Sequence, residues 1–424
     1  MSNIIEVAII GAGPYGLSLA AHLRKKKTSF RIFGRPMGTW VEGMPAGMSL
    51  KSEGFACNLY DPDGRFTLSD YCKEAGIPYA DIGLPVELNT FYSYGKAFQE
   101  RFVSDLEDTL VTRVAKSNDL FEVTLDTGIT VTAQRVVIAA GIGHFPYLPP
   151  QLVGLPPEFV SHSCEYHTFD QFSGRDVVVI GAGSSAVDVA VGLSSAGARP
   201  QLLTRRPKIP FHGKAPDRRP FLTRIKAPWS GLGPGWRSRL CCDMPLLFHV
   251  MPLEFRAKVV KKHLGPAPGW FTREKVVGRI PMHVDLSLEK AEVVQDKIRL
   301  QLRSSSGESA ALSADHVIAG TGYRVNLQKL GFLVEDVRQQ IATEHGSPRL
   351  SSHFESSVSG LYFVGTPAAL SFGPLLRFTF GAGFAASRIS RHLSLQTRRS
   401  KRRTSVPERA ADQPFLAKNS QPDT

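Results

Sequence analysis

Residues 4–16 read Ile4-Ile5-Glu6-Val7-Ala8-Ile9-Ile10 and then Gly11-Ala12-Gly13-Pro14-Tyr15-Gly16. The first part is short, β-branched and almost continuously apolar, which predicts a strand buried on both faces of a parallel sheet. The following LSLAAHLRKKK carries Leu17, Ala20, Ala21 and Leu23 at helical spacing, with Pro14 suited to the first helical position and Lys25 to Lys27 suited to the C-terminus. A GxGxxG turn in that place bends tightly and lets the backbone approach a pyrophosphate, which rests on the helix N-terminal amides. The glycines alone are a weak sign; strand, turn and helix in this order make a dinucleotide turn.

The same order returns downstream. Val177-Val178-Val179-Ile180 leads into Gly181-Ala182-Gly183-Ser184-Ser185-Ala186, and VDVAVGLSSA forms a helix closed by Gly197. Each copy is followed by a hairpin-like stretch and a terminal strand. FEVTLDTGITVTAQRVVIAAG ends at Gly141, and IRLQLRSSSGESAALSADHVIAGTG ends at Gly322. The expected fold is α/β with two Rossmann-like dinucleotide-binding domains of matching internal order. After them, Gly360 to Gly365 reads as a further buried strand and GAGFAASRISRHL as a closing helix.

The residues after each turn separate the two nucleotides. An acid about 20 residues on would accept ribose hydroxyls, whereas arginine favours a 2′-phosphate. The strand QLLT of the second copy ends in Arg205-Arg206, so NADPH is preferred to NADH there; the alternative is two surface arginines. The strand FRIF of the first copy ends in Gly34 and Arg35 with no acid, and Glu42 stands too far on to take its place.

The chain has 424 residues, 42% hydrophobic and 21% charged, which excludes disorder as its main state. Its net charge of +13 is local. Residues 205–279 hold 17 Lys+Arg against 4 Asp+Glu, residues 391–424 hold 8 against 3, and the remainder is mildly acidic. The first of these segments also holds Trp229, Trp236 and Trp270 and is rich in proline and glycine, so loops and short helices are expected there. It reads as a basic elaboration facing anionic ligands, or as a solvated basic face with core tryptophans. FHVMPLEFRAKVVKKHL within it is amphipathic and cationic, so a weak membrane-surface contact is a further alternative. No nucleic-acid reader motif accompanies the charge. Five cysteines without a CxxC pair, no stretch long enough for a membrane span and no secretory signal at Met1 to Glu6 give a cytoplasmic expectation.

GAGPYG, Met37-Gly38-Thr39-Trp40, GAGSSA, the strand end AAGIG, AGTGYR at 319–324 and GLYFVG together resemble the class B flavin-dependent monooxygenases, which include the flavin-containing monooxygenases and the bacterial lysine and ornithine N-hydroxylases. The resemblance covers residues 4 to 393. It implies FAD at Gly11, Gly13, Pro14, Tyr15 and Gly16, with Arg35, Trp40, Gly141 and Gly365 beside it. It implies NADPH at Gly181, Gly183, Ser184, Ser185, Arg205 and Arg206, with Gly320, Thr321, Gly322 and Tyr323 closing the second module.

The implied domains are 1–160 and 326–394 for FAD, with 161–325 for NADPH inserted between them, and a disordered tail over 395–424. The family's linker fingerprint FxGxxxHxxxY keeps His162-Ser163 and Tyr166, but Pro156, Glu158 and His167 replace its Phe, Gly and basic residue. Where flavin-containing monooxygenases often place an asparagine, alignment puts Lys51, with Asn58 nearby; these are the candidate catalytic positions.

The resemblance implies hydride transfer from NADPH to FAD, then a C4a-hydroperoxyflavin that uses O2 to oxygenate a small molecule at nitrogen, sulfur or a carbonyl carbon. An NADPH:acceptor reductase without oxygenation, or a redox-silent nucleotide-binding regulator, are the competing readings. Substrate and oligomeric state are not legible, and no metal site is expected because HExxH and clustered Cys/His spacings are missing.

Overall fold

The computed structural model describes residues 4–214, 216, 220–263 and 267–404; the expected tail beyond residue 404 lies outside the described residues. Strands β1 (Ile5–Ile10), β2 (Phe30–Phe33), β3 (Val111–Ser117), β4 (Leu120–Leu125) and β5 (Thr130–Ile138) join Leu361–Phe363 in a six-stranded sheet. Its order is β2-β1-β5-β4-β3, with Leu361–Phe363 alongside β5. β1 is buried at all six positions because it lies parallel to a neighbour on each side and is covered on both faces. The nine residues of β5 divide their partners: Thr130 to Ala133 pair antiparallel with β4, while Ala133 to Ile138 run parallel to β1.

Strands β6 (Val160–His162), β7 (Asp176–Ile180) and β8 (Arg199–Leu203) form a second, fully parallel sheet with Met282–His283 and His316–Ala319. All of its strands fall in sequence between β5 and Leu361–Phe363 of the first sheet. The expected second hairpin is Lys297–Ser304 with Ser309–Ala314, and it stays separate from the terminal strand. Asp315 marks the break: its carboxylate accepts the Asp176 backbone N–H at 2.7 Å and pairs with Lys297 at 3.1 Å.

Helix α1 (Pro14–Lys25) follows β1, with Pro14 in its first turn and basic residues in its last. Helices α2 (Gly38–Glu42), α3 (Leu68–Ala75) and α4 (Leu88–Phe102) flank the first sheet, and α5 (Ser184–Ser195) follows β7. The basic segment folds into short helices α6 (Phe221–Lys226), α7 (Trp236–Asp243), α8 (Pro245–His249) and α9 (Leu253–Lys262). Its tryptophans are not core residues: Trp236 is 56% exposed, and Trp229 and Trp270 are half-buried.

The closing helix runs Gly381–Thr404, so residues 395–404, expected to be disordered, are helical. The reason is tertiary. Gln396 bonds Arg135 of β5 at 2.9 Å, and Thr397 donates to Glu6 of β1 at 3.2 Å, so the helix is held on the first sheet as far as residue 397.

Candidate functional site

Both glycine turns present bare helix N-termini. The first helical bond of α1 is from the Leu17 N–H to the Gly13 carbonyl, and that of α5 from the Val187 N–H to the Gly183 carbonyl. Neither N-cap makes a side-chain bond and neither first turn carries an acid. Amides ahead of those bonds are therefore left for an anion, which fits a pyrophosphate. Above α1 the cradle is open, since a Cβ added to Gly13 would meet nothing within 4 Å.

Below each turn the packing is tight. A Cβ on Gly16 would stand 1.9 Å from the Gly11 carbonyl oxygen. In the second module Ala186 holds the corresponding helix position, and Gly320 at the strand end gives way: a Cβ there would lie 2.6 Å from the Ala186 Cβ. The turns therefore match in order and differ in which element supplies the missing methyl.

Lys51 reaches across the modules. Its Nζ donates to Asp188 Oδ1 on α5 at 2.8 Å and to the Ser49 carbonyl at 2.9 Å, and lies 4.8 Å from the centre of the Phe271 ring. Asp188 is buried, and desolvation raises its carboxyl pKa although the Lys51 charge opposes the rise. The Ser184 hydroxyl also points to Asp188, at 3.4 Å. Asp188 was not singled out from the sequence, although it is the one acid inside the apolar helix α5.

His162 fastens the linker to the second module's strand end. Its Nδ1 accepts the Cys164 N–H at 3.2 Å, so Nε2 carries the proton and donates to the Gly322 carbonyl at 3.0 Å. Burial lowers its pKa to about 4. Its ring meets Tyr323 edge-on at 5.2 Å, and burial raises the Tyr323 phenol. Thr321 donates to the Tyr147 carbonyl.

Around the first turn, the Tyr15 hydroxyl donates to the Phe378 carbonyl at 2.8 Å, and burial pushes its pKa well up. Its ring lies against Gly365. Trp40 packs edge-on against Phe91 at 4.7 Å, and Gly141, with left-handed backbone (φ 71°), lies beside Thr39. Glu42, too far along the sequence to stand as the acid after the first strand, forms an ion pair with Arg35.

Asn58 is used locally: its Nδ2 donates to the Phe55 carbonyl at 3.1 Å and its Oδ1 accepts the Leu68 N–H at 2.8 Å. Arg205 and Arg206 stand exposed just past β8, and neither side chain makes an ion pair among the described residues. The chain directly after them lines a groove of about 550 Å³ with Lys208, Phe211 and Arg273. The structure thus brings Lys51, Ser184 and the second turn together, while Asn58 belongs to its own loop.

The profile of the pyridine nucleotide-disulphide oxidoreductase family matches residues 8–222. An uncharacterised CzcO-like oxidoreductase of Geobacillus kaustophilus is 28% identical over 216 residues, 46% of this chain and 53% of its own length. A ferredoxin–NADP reductase of Thermus thermophilus is 30% identical over 212 residues, 49% of this chain and 55% of its own. The chain spans about half the length of the curated relatives it matches. Among solved structures, an ornithine N-hydroxylase of Kutzneria sp. superposes with a TM-score of 0.71 at 18% identity, covering 93% of this chain and 100% of that one. The fold is shared with that N-hydroxylase, and binding of FAD and NADPH is consistent with it.

Proposed function

The chain belongs to the pyridine nucleotide-disulphide oxidoreductase family, and on that premise we propose that it is an NADPH- and FAD-dependent monooxygenase acting on a small molecule with O2. The observation that carries this reading is the meeting of the two dinucleotide modules at Lys51 and Asp188, in a chain without the CxxC pair that serves as a redox dithiol in disulfide reductases. Domain 161–325 is then the NADPH module, inserted between the two parts of the FAD module.

In this assignment the turn Gly11 to Gly16 holds the FAD pyrophosphate, and Gly181, Gly183, Ser184 and Ser185 hold that of NADPH. Arg205 and Arg206 take the 2′-phosphate. When bound, the two cofactors supply hydride transfer to the flavin and activation of oxygen for transfer to a soft nucleophile or carbonyl. The protein's part is placement and exclusion of water. Lys51 fixes α5 against the first module, and neutral His162 holds the strand end at Gly322 without adding charge.

A second reading, NADPH-dependent reduction of a protein or small acceptor without oxygenation, is favoured by the ferredoxin–NADP reductase likeness over 212 residues. Mixing NADPH-reduced protein with oxygen in a stopped-flow spectrometer separates the two. A transient flavin spectrum that is neither reduced nor oxidised supports oxygenation; direct reoxidation supports the reductase, and protein that takes up no flavin defeats both. In the same assay Arg205→Gln with Arg206→Gln is expected to lower the preference for NADPH over NADH about tenfold or more, one to two charge-assisted contacts being lost. An unchanged preference removes the 2′-phosphate assignment.

A further inference from the structure

The most basic part of the chain also carries a concentration of water-exposed apolar side chains. Among the described residues, ten of the 22 exposed large hydrophobic ones fall within residues 221–255, including Phe221 (73% exposed), Leu222 (68%) and Val250 (72%). Every residue of α6 is exposed, so Phe221, Leu222 and Ile225 keep half or more of their surface in water. The helices are contiguous: the Trp236 indole N–H donates to the Ile225 carbonyl at 3.0 Å, only Met244 separates α7 from α8, and Phe248 lies 6.4 Å from Phe255 of α9. The face is also fixed to the body, with His249 stacked on Phe372 at 5.0 Å and Arg377 donating to the Val260 carbonyl at 3.2 Å.

Charge lies among these apolar side chains. Arg224, Lys226, Arg237, Lys258, Lys261 and Lys262 are exposed and make no ion pair among the described residues, while Asp243 is neutralised by Arg239. Exposed apolar side chains on adjoining helices, interspersed with cations that make no ion pair among the described residues, have two requirements, somewhere to bury hydrocarbon and anions beside it. Nucleic acid would meet the second and leave Phe221, Leu222 and Val250 in water. No helix among the described residues is long and apolar enough to cross a membrane.

We propose that the α6–α9 face docks on an anionic lipid bilayer, with Phe221, Leu222 and Val250 entering the boundary between headgroups and acyl chains and the cations facing lipid phosphates. The inference does not depend on the oxygenation chemistry. Its test is co-sedimentation of the full chain with phosphatidylcholine vesicles containing none or 30% phosphatidylglycerol. Binding is expected to the anionic vesicles, falling about tenfold or more without the anionic lipid, in high salt, in Phe221→Ser with Leu222→Ser, and separately in Lys258→Glu with Lys261→Glu.

The charge-reversed protein guards against misfolding in the apolar variant, and thermal melting checks both. Failure to bind anionic vesicles, or binding that both folded variants retain, overturns the proposal. So does a stable dimer in sedimentation velocity that Phe221→Ser with Leu222→Ser dissociates, because a second copy would then cover this face.

Discussion

The two dinucleotide modules solve one packing problem in opposite ways. In the first, the helix gives way: Gly16 lets α1 close on the Gly11 carbonyl while Ala139 keeps its side chain at the strand end. In the second, the helix keeps the methyl of Ala186 and the strand end gives way at Gly320. What must be preserved is the distance between turn, helix and strand end; the position of the glycine that allows it is free. This is why a motif search that demands all three glycines is stricter than the physics.

The largest expected effects break this comparison directly. Gly16→Ala and Gly320→Ala should each destabilise the protein by more than about 4 kcal/mol, seen as loss of soluble yield and flavin retention, because the new methyl meets close-packed atoms. Adding Ala186→Gly to Gly320→Ala should recover only part, since the Ala186 Cα would remain 2.7 Å from the new Cβ. Complete rescue would show that the contact is between side chains alone, and an unperturbed Gly16→Ala would end the comparison.

Next in size is the contact between the modules. Lys51→Met strands a buried carboxylate at Asp188 and should cost about 3–5 kcal/mol in a thermal or urea melt. Replacing both, Lys51→Met with Asp188→Leu, should restore most of that stability while flavin reduction by NADPH stays about tenfold or more slower. A double variant with normal reduction would show that the pair does not align the modules.

The smallest effect is pH-dependent. The neutral form of His162 is favoured in the folded chain, with a pKa of about 4 against an ordinary 6.5. Between those values the unfolded chain binds more protons, so stability from this group is complete above about pH 6.5 and is lost as pH falls toward 4. The loss is up to about 3 kcal/mol at 1.36 kcal/mol per pKa unit. His162→Asn should flatten that part of the stability profile; an unchanged slope would assign the acid sensitivity elsewhere.

The turns, their strands and the two hairpins were legible because they are local: periodicity and glycine spacing lie within some 20 residues of each other. Four features were not. Asp188 becomes the partner of Lys51 only when residues 137 apart are folded together. Asn58 resembles a reacting group in composition, yet its amide is used by the backbone of Phe55 and Leu68. The last helix takes on a disordered composition from Leu395, and contacts from Gln396 and Thr397 to the first sheet carry it past that point. The break at Asp315 is a fourth case, because strand propensity continues across it while the partner strands change.

The bond from Thr397 to Glu6 joins the last described helix to the first strand. On a ribosome the chain emerges from its N-terminus, yet the first sheet lacks Leu361–Phe363 until late in synthesis, and α1 waits for the helix that begins at Gly381. The second sheet needs nothing beyond Ala319. The module that comes second in sequence is therefore the first that can be completed, and β1, although made earliest, must be kept from aggregating for the longest time.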